Sequence, residues 1–213
     1  MTLIRSLILA IASASLAITV AGCSDKAGDS NLRATDSHAG AQSSSGPAQT
    51  RPTLTDPKIQ PPSQHNQYTG ARPDIVFDPC TWISDDTIRK SGFDPSTRKR
   101  GPDQIAERSF LTCAFTDGNP LDGLVLQVNS SNATWDEDMA KVRDYSEPLT
   151  INGREAMWVR NPGIKQDCQI DIRTKVGFVQ VAVSSNSLQD TGRPCGNLEN
   201  IASNIETEIG KDN

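Results

Sequence analysis

The sequence predicts an α+β domain over residues 74–213: a mostly antiparallel β-sheet packed with N- and C-terminal helices and closed by two disulfides. Three observations predict it. Several short runs alternate apolar and polar residues, an Asn-Gly pair sits between two of them, and one C-terminal segment repeats its apolar residues at helical spacing.

In chain order, Ser84 followed by Asp85 and Asp86 and closed by Gly92 is a short capped helix, with acids at the positive end of its dipole. Trp82 and Ile83 just before it belong to the core. From Ser109 to Phe115 the residues Leu111, Cys113 and Phe115 share one face, and from Gly123 to Asn129 Leu124, Leu126 and Val128 do. These are two strands joined through Asp117-Gly118-Asn119-Pro120. Thr134 with Glu137 three residues later forms a capping box, so a helix is expected from Trp135 to about Asp144. Glu147 to Ile151 and Arg154 to Arg160 flank Asn152-Gly153, the strongest short hairpin signal. Two more strands follow. Cys168, Ile170 and Ile172 oppose Gln169, Asp171 and Arg173, and then Val179, Val181 and Val183 alternate with smaller or polar residues. The last helix carries Cys195, Leu198, Ile201, Ala202, Ile205 and Ile209 on one stripe, with Pro194 near its first turn.

The chain ahead of this domain has a different character. Arg5 precedes an apolar run from Leu7 to Val20, broken only by Ser13, Ser15 and Thr19, and then Val20-Ala21-Gly22-Cys23. A run of about fourteen residues is short of the ~20 that span a bilayer and reads as the export core of a signal peptide. Val-Ala-Gly-Cys looks like a bacterial lipobox, in which the Cys23 thiol takes a diacylglyceryl group and becomes the new N-terminus. Residues 1–22 are then removed, and a multiply acylated Cys23 holds the chain on the outer face of the cell membrane. From Ser24 to Pro73 the only large aliphatics are Leu32, Leu54 and Ile59 and the only aromatic is Tyr68, so residues 23–73 are expected to be a lipidated, disordered tether. Its Ser and Thr beside Pro are candidate glycan acceptors. Both histidines, His38 and His65, fall within it, which leaves the expected domain without an imidazole.

Of 213 residues, 21 are Lys or Arg and 26 Asp or Glu, a net charge of −5. Residues 1–73 hold six of the basic and four of the acidic ones, so the domain itself is near −7. A chain with 5% aromatic residues and an acidic domain is not expected to bind nucleic acid.

Four cysteines remain after Cys23, an even number in an exported chain, and no C-x-x-C pair or domain histidine offers metal-ligand spacing. Cys113 and Cys168 sit on apolar strand faces, while Cys80 and Cys195 sit at helix beginnings. The expected bridges are therefore Cys80 with Cys195 and Cys113 with Cys168.

Phe77-Asp78-Pro79-Cys80, Cys113 in a strand, the Asn152-Gly153 hairpin, Cys168, and Pro194-Cys195 before the last helix form one ordered set. Over about residues 75–210 this set resembles an actinobacterial family of cell-envelope lipoproteins known only as a domain of unknown function. The resemblance implies an extracytoplasmic, membrane-anchored, disulfide-bonded domain and carries no activity or catalytic residue.

Without an imidazole, histidine-dependent hydrolysis has no general base, and no phosphate-cradling glycine loop occurs. No catalytic residue, cofactor or metal is expected. Asp136-Glu137-Asp138 fits the positive end of a helix dipole, and Arg98-Lys99-Arg100 reads as a solvated loop that could contact anionic envelope polymer. On the strand from Arg154, the residues Arg154, Ala156, Trp158 and Arg160 share a face. Trp158 flanked by Arg154 and Arg160 is the candidate binding surface, the alternative being a tryptophan buried under a helix with arginines at its rim. The expected function is a non-enzymatic, lipid-anchored module binding an envelope ligand or protein. An accessory or structural subunit of an envelope complex is the second expectation, and a carboxylate-dependent hydrolase of wall glycan the third.

Overall fold

A computed structural model describes residues 53–70, 72–185, 187, 193–211 and 213. The signal segment, Cys23, His38 and residues 23–52 of the expected tether lie outside them.

Seven strands form one antiparallel sheet: β1 (Asp94–Arg100), β2 (Phe110–Thr116), β3 (Leu124–Ser131), β4 (Ser146–Ile151), β5 (Arg154–Val159), β6 (Asp167–Arg173) and β7 (Phe178–Ser185). Their order across the sheet is β1-β2-β3-β7-β6-β5-β4. Two meanders therefore meet where β3 pairs with β7, and both edges, β1 and β4, are polar. Asn152 and Gly153 both take positive φ, 49° and 87°, as a two-residue turn matched to strand twist requires.

Helices α1 (Pro79–Trp82), α2 (Asp85–Lys90) and α4 (Leu198–Ile209) cover one face, and α3 (Trp135–Val142) with a 3-10 turn over Arg143–Tyr145 lies on the other. Strand periodicity decides which residues go where. Phe115, Leu126, Val128, Ile170, Ile172, Val179, Val181 and Val183 are fully buried under the three helices, each contributing about 1.5–3 kcal/mol. Their alternate neighbours Thr112, Gln127, Asn129, Gln169, Asp171 and Gln180 make the opposite face polar.

Three expectations are corrected. First, the bridges are Cys80–Cys113 and Cys168–Cys195, with Cα atoms 5.0 and 5.3 Å apart. Cys113 and Cys168 do share a sheet face, but β3 and β7 separate their strands. Three strand spacings, about 14 Å, exceed the ~7 Å that a disulfide spans. Each strand cysteine instead bonds the helical segment lying over it: α1 above β2, and the 3-10 turn Arg193–Cys195 above β6. Closing loops of 33 and 27 residues, each bridge contributes about 3.5 kcal/mol when unfolded-chain entropy alone is counted.

Second, Arg98-Lys99-Arg100 is not a solvated loop but the end of edge strand β1, which lacks apolar alternation because its buried positions are filled by arginine stems. Arg98, with a side chain only 7% exposed, lies 4.9 Å over the Phe115 ring and bonds the Cys80 carbonyl at 3.0 Å and Asp85 at 2.8 Å. Arg100 is 11% exposed and meets Asp78 at 2.7 Å and Asp103 at 3.1 Å.

Third, packing begins before residue 74. Ile59 is buried in the main core, the Leu54 amide donates to the Thr81 carbonyl at 2.9 Å, and the Arg100 Nε donates to the Ile59 carbonyl at 2.9 Å. Gln64 brackets Ile75, donating to its carbonyl and accepting from its amide at 2.9 and 2.8 Å. Composition could not report this because the segment is held by hydrogen bonds rather than by apolar mass. His65 is consequently part of the packed chain. Its exposed ring lies 3.2 Å from Asp74 on the surface.

Peptide mapping without reduction should recover Cys80 linked to Cys113 and Cys168 linked to Cys195; a Cys113–Cys168 peptide would contradict the strand order. Arg100→Ala leaves the buried Asp78 carboxylate without its cation and should cost about 3 kcal/mol in urea unfolding. Lys99→Ala, on the exposed neighbour, should stay within about 0.5 kcal/mol.

Candidate functional site

The residues singled out for binding lie together, but beneath α4. Trp158 is 7% exposed and its indole N–H donates to Glu199 of α4 at 2.9 Å, while the Arg160 guanidinium stacks 4.1 Å from its ring. Arg154 meets Glu206 at 2.9 Å and the Gly210 carbonyl at 2.7 Å, and also bonds the Asn213 carbonyl. Glu199 and Glu206 are two turns apart on α4, so one helix face clamps both ends of this strand face. Trp158 is thus buried under a helix with its polar atom paired and arginines at its rim, as the burial alternative describes.

The three acids at the start of α3 separate into three roles. Glu137 closes the capping box, accepting from the Thr134 amide at 2.8 Å, and receives Arg72 through both its oxygens at 2.8 Å and Arg108 at 2.7 Å. Arg72 first, then the Thr134 amide and Arg108, hold its carboxyl far below the usual range. Asp136 faces solvent. Asp138 turns inward, 6% exposed, on the side of α3 that carries Trp135 and Val142, and comes against the fully buried Asp171 of β6, whose register neighbours Met157 and Gln180 line the cavities at α3.

Two cavities flank α3. The larger, about 640 Å³, runs between α3 and the β4–β5 hairpin. Trp135, Met139, Pro148 and Met157 give it an apolar floor and wall, with Asp136, Arg143 and Glu155 at its rim. The Trp135 indole N–H is held by Glu155 at 3.1 Å, which Arg173 anchors in turn at 2.6 Å. Pro148, on β4, lacks a donor and blunts this edge against strand addition.

The smaller cavity, about 220 Å³, lies on the other side of α3, between Phe110, Tyr145 and Phe178 and the polar groups of Asp138, Lys141, Asp167, Gln169 and Gln180. Below it a polar row crosses the sheet in register: Thr112, Asn129, Gln180, Asp171. Gln169 donates to both Asp171 oxygens at 2.8 and 2.7 Å, and Asn129 donates to Gln180. A cleft of about 600 Å³ beside Trp82 also opens near α4. There Glu208 already accepts from Ser84 at 2.7 Å and Thr87 at 2.5 Å, so its polar groups serve the helix junction.

The acid pair and the groove were missed from sequence, although a signal for the pair existed. Trp135, Asp138 and Val142 are three and seven residues apart, so a carboxylate sits within the apolar stripe of α3. Asp171 falls on the polar alternation of β6. Nothing local says that α3 crosses that polar face.

The α+β domain thus has two helix-covered faces of different chemistry, one apolar and stapled, one polar and cavitied. Residues 18–208 match the family described as Protein of unknown function (DUF3558), and the chain belongs to that family. No curated protein and no solved structure matches it.

Proposed function

We propose that this protein is a lipoprotein of the extracytoplasmic face of a cell membrane, anchored through Cys23, whose domain binds a small amphipathic envelope ligand beside α3 and is not an enzyme. The groove carries this reading. Its volume of about 640 Å³ lies within the ~300–1,000 Å³ of ligand sites, and an apolar floor with a few charged rim groups is their usual chemistry. Among the described residues no helix is long and apolar enough to cross a membrane, and two disulfides belong to an oxidising compartment. The family match takes in the stretch from residue 18, and with it Val20-Ala21-Gly22-Cys23.

Native mass spectrometry of the full chain, expressed in its own host and extracted in detergent, tests the reading. A mass excess of a few hundred daltons, lost on denaturation, is expected. Met139 stands 40% exposed on the groove wall, so Met139→Glu should fold normally and cut ligand occupancy roughly tenfold by setting a carboxylate against apolar surface. A bare wild-type mass would overturn the ligand. Cys23→Ala should release the protein from membranes or block its processing, and unchanged retention would overturn the anchor.

A further inference from the structure

We propose that Asp138 and Asp171 hold a single proton between them at neutral pH, and that this proton fastens α3 to the sheet. The geometry leaves few alternatives. Both carboxyls are buried, Asp171 completely: Asp138 lies between Trp135 and Val142 on the sheet-facing side of α3, Asp171 lies between Met157 and Gln180 in the sheet, and Trp135, Val142 and Met157 pack in one apolar cluster. Asp138 Oδ2 is shut off from solvent and finds no protein donor. Gln169 occupies both oxygens of Asp171, so the amide cannot also serve Asp138. Two ionised carboxylates placed so would repel across a poorly screened gap, while one proton turns the contact into a short charge-assisted hydrogen bond.

The surroundings do not neutralise the pair. From α3 the charged neighbour is Lys141, whose side chain reaches from the exposed side of the cavity, and Glu137 is turned away toward Arg72 and Arg108. From β6 come Asp167 and Gln169, from β7 Gln180, from β3 Asn129, from β2 Phe110 and from the 3-10 turn Tyr145. Burial pushes the Asp138 and Asp171 carboxyls up, and for Asp171 the charge of Asp138 adds to burial; Lys141 pulls both down. Burial raises Asp167 as well. The pair titrates as a unit. The small cavity beside it, lined by Asp138 itself, gives water a route to exchange the proton.

Arg72 and Arg108 hold the first turn of α3 through Glu137, and Glu155 holds the Trp135 indole, so past that turn little besides the acid pair fastens the helix. The helix has eight residues, with Trp135 and Val142 as its buried apolar anchors. Losing the proton sets two negative charges between helix and sheet, and α3 is the shared wall of both cavities. If the groove reading is right, ligand release at raised pH follows from it; the shared proton itself does not depend on that reading.

The sign is fixed by linkage. A carboxyl whose folded pKa is raised stabilises the fold fully below the ordinary carboxylate range, and that contribution is lost as pH rises through the raised value. Glu137 and Glu155, held low by arginines, act in the opposite sense and only in acid. The pair is therefore read above about pH 6, where ordinary carboxylates are already ionised.

The experiment is carboxyl-carbon NMR of the aspartate-labelled full chain in detergent, with thermal midpoints of wild type, Asp138→Asn and Asp171→Asn from pH 6 to 9. Two aspartates should titrate together, with one step above the ordinary range. The wild-type midpoint should fall as pH rises, and either variant should lose most of that fall. Both carboxyls ionised at pH 6, or slopes unchanged in the variants, would overturn the proposal. Should a variant fail to fold, the wild-type spectrum decides. A flat pH profile with ligand retained sinks the shared proton alone, and a pH-dependent midpoint with a bare mass sinks the groove alone.

Discussion

The buried ion pair between Asp78 and Arg100 joins three pieces of chain at one end of the sheet. Asp78 accepts the amides of Cys80 and Thr81 at 2.9 Å, which caps α1, and it also takes the guanidinium of Arg100 from β1. Arg100 in turn holds the Ile59 carbonyl and Asp103, whose carboxylate receives the Thr112 amide of β2 at 2.8 Å. Two residues beyond Asp78, Cys80 is bonded to Cys113. The Phe77-Asp78-Pro79-Cys80 stretch is thus a structural unit: a fully buried ring, a helix cap that is also an ion-pair partner, a proline suited to the first helical position, and a covalent tie to the sheet. A matching closure exists at the other end, where Cys168–Cys195 ties the lead-in of α4 to β6 while Glu199 and Glu206 grip Trp158 and Arg154.

With one sheet face closed in this way, the chemistry left over is on the other. A sheet whose outer face were merely solvated would carry polar side chains at those positions and nothing more. Here the polar row is partly buried, because α3 and its 3-10 turn lie over it and enclose a carboxyl pair that no cation fully compensates. Such an arrangement is costly unless a proton is retained. The apolar groove on the far side of the same helix is the feature most suited to holding a ligand. Both therefore depend on one short element held by few contacts, and small changes in its seating alter the two cavities together.

Much of this was readable in the residues. The apolar–polar alternation, the helical spacing of the last stripe, the capping box at Thr134 and Glu137, and Asn152-Gly153 locate six of the strands and the three longer helices to within a few residues. Strand β1 was hidden because arginine stems fill its buried positions where valine or leucine would have announced a strand. Cysteine placement gave the number of bridges and the face they occupy, yet the pairing depends on which strands lie between them, which local pattern does not contain. Trp158 drew attention for its flanking arginines, and the carboxylates that satisfy Trp158 and Arg154 come from a helix some forty to fifty residues later, while Arg160 stacks on the indole and lies near Glu147. Asp138 and Asp171 each looked ordinary alone, one in an acidic helix start and one on a polar strand face, and only their meeting makes them unusual.

The two faces should therefore differ in rigidity, the one under α1, α2 and α4 opening only with the whole fold and the short α3 opening on its own. Native-state hydrogen exchange measures this directly. Amides of β3, β7 and α4 should exchange only through global unfolding, and those of α3 should open locally and exchange about a hundredfold faster or more. If α3 exchanged at the same rate as β7 and shared its denaturant dependence, the helix would be part of the global fold, and the division of labour between the two faces would be wrong.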